Sequence, residues 1–124
     1  MHPKKIGKAF LSRQLERQVK QLRKKNNVKV IAVAGSVGKT STKLAIAKTL
    51  SAKLRVRYQE GNYNDRLTVP LVFFGREQPG IYNVLAWLKI LNDNKRQLQK
   101  EFPYDVVVVE IGTDAPGQLK KFKY

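Results

Sequence analysis

Residues 28–34 read Val-Lys-Val-Ile-Ala-Val-Ala and run straight into Gly-Ser-Val-Gly-Lys-Thr at 35–40. No other feature restricts the fold of this 124-residue chain as tightly. A short run that is apolar at nearly every position and rich in β-branched residues suits a central parallel strand covered on both faces. Glycines at 35 and 38 then permit a tight turn. Residues 40–52 return to helical spacing, with Leu44, Ala47 and Leu50 as the expected buried stripe. Strand, glycine turn and helix in immediate succession begin a βα unit and predict an α/β fold.

The turn also carries chemistry. A phosphate chain bears several negative charges and needs donors that converge without side chains in the way. In Gly35-Ser36-Val37-Gly38-Lys39-Thr40-Ser41 the glycines let successive N–H groups point inward. The helix that follows adds its positive end. Lys39 is expected to reach the β and γ phosphates of ATP, and Thr40 to offer its hydroxyl to Mg²⁺. The spacing departs from the general phosphate-loop pattern G-x-x-x-x-G-K-S/T, because Val33 stands where the first glycine belongs. What survives is a shortened G-x-x-G-K-T loop in the required context.

A second strong strand is expected at residues 106–111, Val-Val-Val-Val-Glu-Ile. Glu110 near its carboxyl end is a costly group to bury unless it is paired or serves a metal. Beyond the strand ends of an open α/β sheet is where ligands bind, so Glu110 is a candidate Mg²⁺ carboxylate beside the loop. Asp114 is a weaker candidate, better read as a turn or helix-cap residue. Residues 56–59 are expected to form a short strand and 61–66 a loop; residues 67–74 suit a strand by their β-branched and aromatic content or a helix from Val69 begun by Pro70, and the helix is favoured. Residues 81–100 predict a long helix with Val84, Leu85, Leu88, Leu91 and Leu98 inward. The sum is a three-layer, phosphate-loop-type open parallel sheet, incomplete, joined by right-handed crossovers.

Charge sets residues 1–27 apart from residues 28–124. Lys and Arg total 25 against 9 Asp and Glu, a net +16. Residues 1–25 hold nine basic residues and one acid, Glu16, and so carry half of that excess. Ile6, Phe10, Leu15, Val19 and Leu22 form an apolar stripe there, which predicts a basic amphipathic helix over residues 6–25. One reading docks it on the domain with its charges solvated. Another attaches it to an anionic membrane surface. With no cysteine, the chain has no disulfide framework and no thiolate metal site, which fits a reducing cytoplasm. No apolar run is long enough to span a membrane, and the pattern of a secretory leader is absent.

Three segments together resemble the central ATPase domain of the Mur ligase family. They are 35–43 (GSVGKTSTK), 61–64 (GNYN) with Val69-Pro70-Leu71, and 109–113 (VEIGT) with Pro116-Gly117, in family order. The likeness is strongest to the branch that adds D-alanyl-D-alanine to a UDP-linked muramoyl tripeptide. The resemblance implies an ATP- and Mg²⁺-dependent ligase of peptidoglycan precursor synthesis, acting in the cytoplasm. ATP would phosphorylate a carboxylate, and the amine of an amino acid or dipeptide would displace the phosphate. It also implies roles by position: Lys39 on the γ-phosphate, Thr40 and Glu110 on Mg²⁺, Asn62 and Asn64 on the substrate side. Two positions depart from the pattern, with Asp65 where a second Asn is common and Thr68 where Gly is common. A uridine-nucleotide domain and the later catalytic segments of such ligases are not expected in this chain. It is therefore expected to be an incomplete ligase, inactive alone.

A second function class remains open: a basic phosphate-loop ATPase that binds nucleic acid. Its charge favours that reading. Its scattered aromatics and lack of a base-stacking motif weigh against it. A third is a nucleotide-binding module without catalysis.

Overall fold

The computed structural model of the protein describes residues 3–34, 38–61, 63, 65–80 and 83–111, the side chains of residues 3–6 excepted. Seven elements follow in order: α1 (Pro3–Lys25), β1 (Lys29–Ala34), α2 (Lys39–Leu50), β2 (Val56–Arg57), α3 (Val69–Phe74), α4 (Val84–Leu98) and β3 (Val106–Ile111). The three strands form one parallel sheet in the order β1-β3-β2. The expected α/β class and parallel sheet are both present. The chain leaves β1 through α2, passes over β3 to β2, and returns to β3 through α3 and α4. Outward and return paths of one handedness must use opposite faces of the sheet, and they do.

Alternation along β3 divides the core in two. Val107, Val109 and Ile111 face α1 and α3 and pack with Val19, Leu22, Val72 and Phe73. Val106 and Val108 face α2, with Val33, Ile46 and Leu50 around them. Glu110 has the same parity as Val106 and Val108, so the strand's two-residue period sends its carboxylate to the α2 side. A further cluster of Leu15, Leu67, Leu71, Trp87 and Ile90 joins α1 to α3 and α4. The result is three layers, with α2 below the sheet and the other helices above.

Several expectations are corrected. The sequence predicts β1 as a strand covered on both faces, but β3 is the central strand, buried at all six positions. β1 lies at an edge, and Lys29, Ala32 and Ala34 are exposed. An apolar run reports that a strand can be buried, but not which strand lies in the middle. On α2 the inward residue is Lys43, not Leu44, which is 38% exposed. On α1 the inward face passes through Leu11, Leu15, Val19 and Leu22 and leaves Phe10 outside. Ile6 lies outside the described side chains.

The first two turns of α4 are apolar almost all round, so two stripes compete. The expected one, with Val84, Leu85 and Leu88, lies outside, and Leu85 is 81% exposed. Trp87, Ile90 and Asn94 turn inward instead. Trp87 has the larger apolar surface, and its indole N–H reaches the carbonyl of Gly80 at 3.2 Å, so burying it leaves no polar atom unmatched. Leu91 and Leu98 are partly buried, as the stripe required.

α1 and α4 are also tied by polar contacts in their buried seam. Gln18 Nε2 donates to the carbonyl of Leu91 at 2.9 Å, and Asn94 Nδ2 donates to Gln18 Oε1 at 2.9 Å. These bonds fix the register of two helices whose apolar contacts alone would tolerate sliding.

Candidate nucleotide site

The site forms where β1 and β3 end. Their register pairs Val33 with Glu110 and Ala34 with Ile111, so the chain leaving β1 starts level with the last residues of β3. Gly38 re-enters the described chain as the N-cap of α2, at φ 79° and ψ 8°. A side chain is strained there, which is why glycine ends the turn. Among the described residues no side chain caps the helix, and no acid lies in its first turn. The first N–H groups of α2 therefore point outward with a positive helix end behind them, the arrangement that suits an anion.

Lys39, the first residue of α2, is half-buried, and Ser41 is exposed. Thr40 lies beside Glu110, its Oγ1 donating to Oε1 at 3.0 Å. The two residues predicted to serve one cation are thus brought together from 70 residues apart. Gly35, Ser36, Val37, Asn62 and Asn64 lie outside the described residues, as do Gly112, Thr113, Asp114, Pro116 and Gly117.

Sequence reading missed the residue that completes the arrangement. Lys43 Nζ lies 2.6 Å from Glu110 Oε2, and the side chains are only 3% and 2% exposed. The same ammonium donates to the carbonyls of Gln59 at 2.6 Å and Gly61 at 3.4 Å. Thr40 and Lys43 are three residues apart on α2 and so share a face, which lets one helix grip both carboxylate oxygens. The signal was present in the sequence. A lysine three residues after Thr40 stood one position from the assumed stripe, and a buried glutamate needed a partner.

The segment after Gly61 contains a second coupled pair. Asp65 Oδ1 accepts from the backbone N–H of Leu67 at 3.0 Å and of Thr68 at 2.8 Å, and from Thr68 Oγ1 at 2.8 Å. Thr68 Oγ1 accepts in return from the Asp65 N–H at 3.2 Å. The two residues that depart from the Mur pattern therefore bond to each other. They build a closed turn that aims the chain into α3, whose six residues are all buried.

Do these residues fit magnesium-bound ATP? Among the described residues no three His, Cys, Asp or Glu side chains cluster as a metal cage. Mg²⁺ does not ask for one: it keeps waters and takes one or two protein oxygens plus phosphates. The Thr40 hydroxyl and Glu110 Oε1, adjacent at an uncapped helix N-terminus, match that donor set.

No protein-family profile matches the sequence. Among solved structures, the chain is similar to the UDP-N-acetylmuramoylalanyl-D-glutamyl-2,6-diaminopimelate–D-alanyl-D-alanyl ligase of Acinetobacter baumannii. The match has 23% sequence identity and a TM-score of 0.57, and it covers 90% of this chain and 19% of that chain. At this identity the likeness establishes the fold. The chain has the architecture of one segment of that ligase and spans less than a fifth of its length.

Proposed function

We propose that the chain is the ATP-binding part of a Mur-type ligase, acting in peptidoglycan precursor synthesis in the cytoplasm. The observation that carries this reading is the meeting of Thr40 and Glu110 at the uncapped start of α2. The shared fold with part of a muramoyl-peptide ligase agrees with it. Residues 28–124 form the nucleotide-binding unit in this reading, with residues 1–27 as its covering helix.

Backbone amides of residues 35–41 and the Lys39 ammonium bind the phosphates. Thr40 and Glu110 hold Mg²⁺, which supplies neutralising charge to the triphosphate. Asn62 and Asn64 are assigned to the acceptor, a UDP-linked muramoyl peptide, whose carboxylate takes the γ-phosphoryl group. The amine of an amino acid or dipeptide then displaces phosphate. The protein's share is alignment and charge compensation rather than covalent chemistry. This chain alone is proposed to bind nucleotide without forming the amide.

Calorimetric titration with Mg·ATP tests the reading. Saturable binding is expected, weakened at least tenfold by Lys39→Met. No binding, or equal binding by the variant, refutes it. Strong, salt-sensitive binding of RNA or DNA alongside nucleotide affinity would favour the nucleic-acid ATPase instead.

A specific surface favours a second contact, with an anionic bilayer. Arg13, Arg17, Lys20 and Lys24 are exposed along α1, and Val84, Leu85 and Leu88 are exposed on its neighbour α4. A basic helix packed beside one with exposed apolar side chains suits a lipid surface better than a nucleic acid. No described helix is long and apolar enough to cross a membrane. Salt-sensitive flotation with phosphatidylglycerol vesicles, lost in Leu85→Gln/Leu88→Gln, is the expected result. Flotation unchanged in that variant rules out the α4 contribution.

A further inference from the structure

Lys43 has no role in the nucleotide reading so far, yet it is the most enclosed cation in the described site. An ammonium has three N–H donors. Here they meet three acceptors: Glu110 Oε2, the Gln59 carbonyl and the Gly61 carbonyl. Two consequences follow from that saturation. Glu110 has one oxygen committed to Lys43, so only Oε1, on the Thr40 side, can face a cation. The same ammonium holds the chain entering Gly61, immediately before Asn62, so any shift of the carboxylate is felt there.

We propose that Lys43 is a positioning residue with two linked effects: it limits Glu110 to one-oxygen engagement of a nucleotide-bound divalent cation, and it couples that engagement to the order of the acceptor-side segment beginning at Gln59. This rests on the nucleotide reading above. The chemistry is a charge balance. With Lys43 in place, Glu110 is compensated before any nucleotide arrives, and the site has little attraction for a bare divalent ion. A cation is accepted when it comes with its phosphates, whose charge Lys39 and the α2 amides meet. Without Lys43 the carboxylate is a buried, uncompensated anion able to turn both oxygens to a metal ion. Gln59 and Gly61 then lose their tie to α2.

The test uses the full chain in three forms: wild type, Lys43→Met, and Lys43→Met/Glu110→Gln. The double variant restores neutrality and stays informative where the single variant is too unstable to fold. Two readouts are followed, Mn²⁺ affinity without nucleotide by electron paramagnetic resonance, and amide exchange over residues 57–63 with and without Mg·ATP. Wild type is expected to bind bare Mn²⁺ weakly and to slow exchange over 57–63 when Mg·ATP is added. Lys43→Met is expected to bind bare Mn²⁺ at least tenfold more tightly. Both variants are expected to exchange at least tenfold faster over 57–63 and to lose the response to nucleotide.

A lysine that serves only as a buried counter-ion predicts another pattern: lower thermal stability, unchanged Mn²⁺ affinity in Lys43→Met, and wild-type basal exchange over residues 57–63 in the double variant. That pattern overturns the proposal. Failure of wild type to bind Mg·ATP sinks the nucleotide reading separately. The nucleotide-free Mn²⁺ titration and the basal exchange rates still decide whether Lys43 restrains Glu110 and the segment.

Discussion

Glu110 and Lys43 meet at 2.6 Å where neither side chain exposes more than 3% of its surface. A buried pair of this kind contributes little compared with an apolar pair, because both ions have left water. Breaking it is another matter. Glu110→Gln leaves the Lys43 ammonium enclosed with no counter-charge, and a loss of about 3–5 kcal/mol is expected. Urea denaturation of the single variant against Glu110→Gln/Lys43→Met measures it. A double variant no more stable than the single one contradicts this account.

Asp65 and Thr68 are expected to behave as a unit. Asp65→Ala removes the acceptor for two backbone N–H groups and one hydroxyl. A cost of roughly 1–2 kcal/mol follows, similar to the loss of a helix cap. In a double-mutant cycle with Thr68→Ala, a coupling of about 0.5–1 kcal/mol is expected. Additive losses show that the two side chains act independently.

Two neighbours on α4 separate burial from mere hydrophobicity. Trp87 is 1% exposed and fills the α1–α3–α4 cluster, so Trp87→Ala is expected to cost about 3–5 kcal/mol. Leu85→Ala, on the opposite side of the same helix, is expected to stay within about 0.5 kcal/mol of wild type. Thermal unfolding of both variants is the check, and a large effect at Leu85 means that something covers that face in solution.

Asp105 sets the acid sensitivity of the β2–β3 junction. Its carboxyl is held below the usual aspartate range, first by the backbone N–H of Arg55 and then by the Arg55 side chain. A depressed folded-state value means the stabilisation is present above the unfolded value of about 3.9 and is lost as pH falls through the folded value. The stability gap between wild type and Asp105→Asn should therefore be small, open at pH 7, and close as pH drops below about 4. Denaturant midpoints at several pH values give the answer, and a gap independent of pH excludes this origin.

Gly38→Ala tests the turn itself. Among the described residues nothing crowds a methyl group at that position, so the penalty expected is conformational. A φ of 79° costs an L-residue about 1–2 kcal/mol. Loss of stability together with weaker Mg·ATP binding is expected. A neutral substitution shows that the turn relaxes to another geometry.

The local pattern of the chain determined a good deal. Alternating and continuous apolar runs located β1 and β3, and the bounds of β3 match the expectation residue for residue. Spacing located α1, α2 and α4, and Pro70 marked the start of α3. Glycine at 38 marked the entry to α2, and a glutamate at a strand end announced a partner. Each of these signals depends on residues within one or two turns of each other.

Only the tertiary structure decided which faces turned inward and which strand took the centre. Phe10, Leu44 and Leu85 are as apolar as the residues buried near them. Their exposure depends on what the opposite surface offers: a tryptophan that must fill a seam, a carboxylate that must be neutralised. The same holds for Lys43, which reads as a solvated charge until Glu110, Gln59 and Gly61 are brought around it. Burial of a charge is a property of the set of groups that enclose it. That set comes from two stretches of chain outside α2, so no local pattern can announce it.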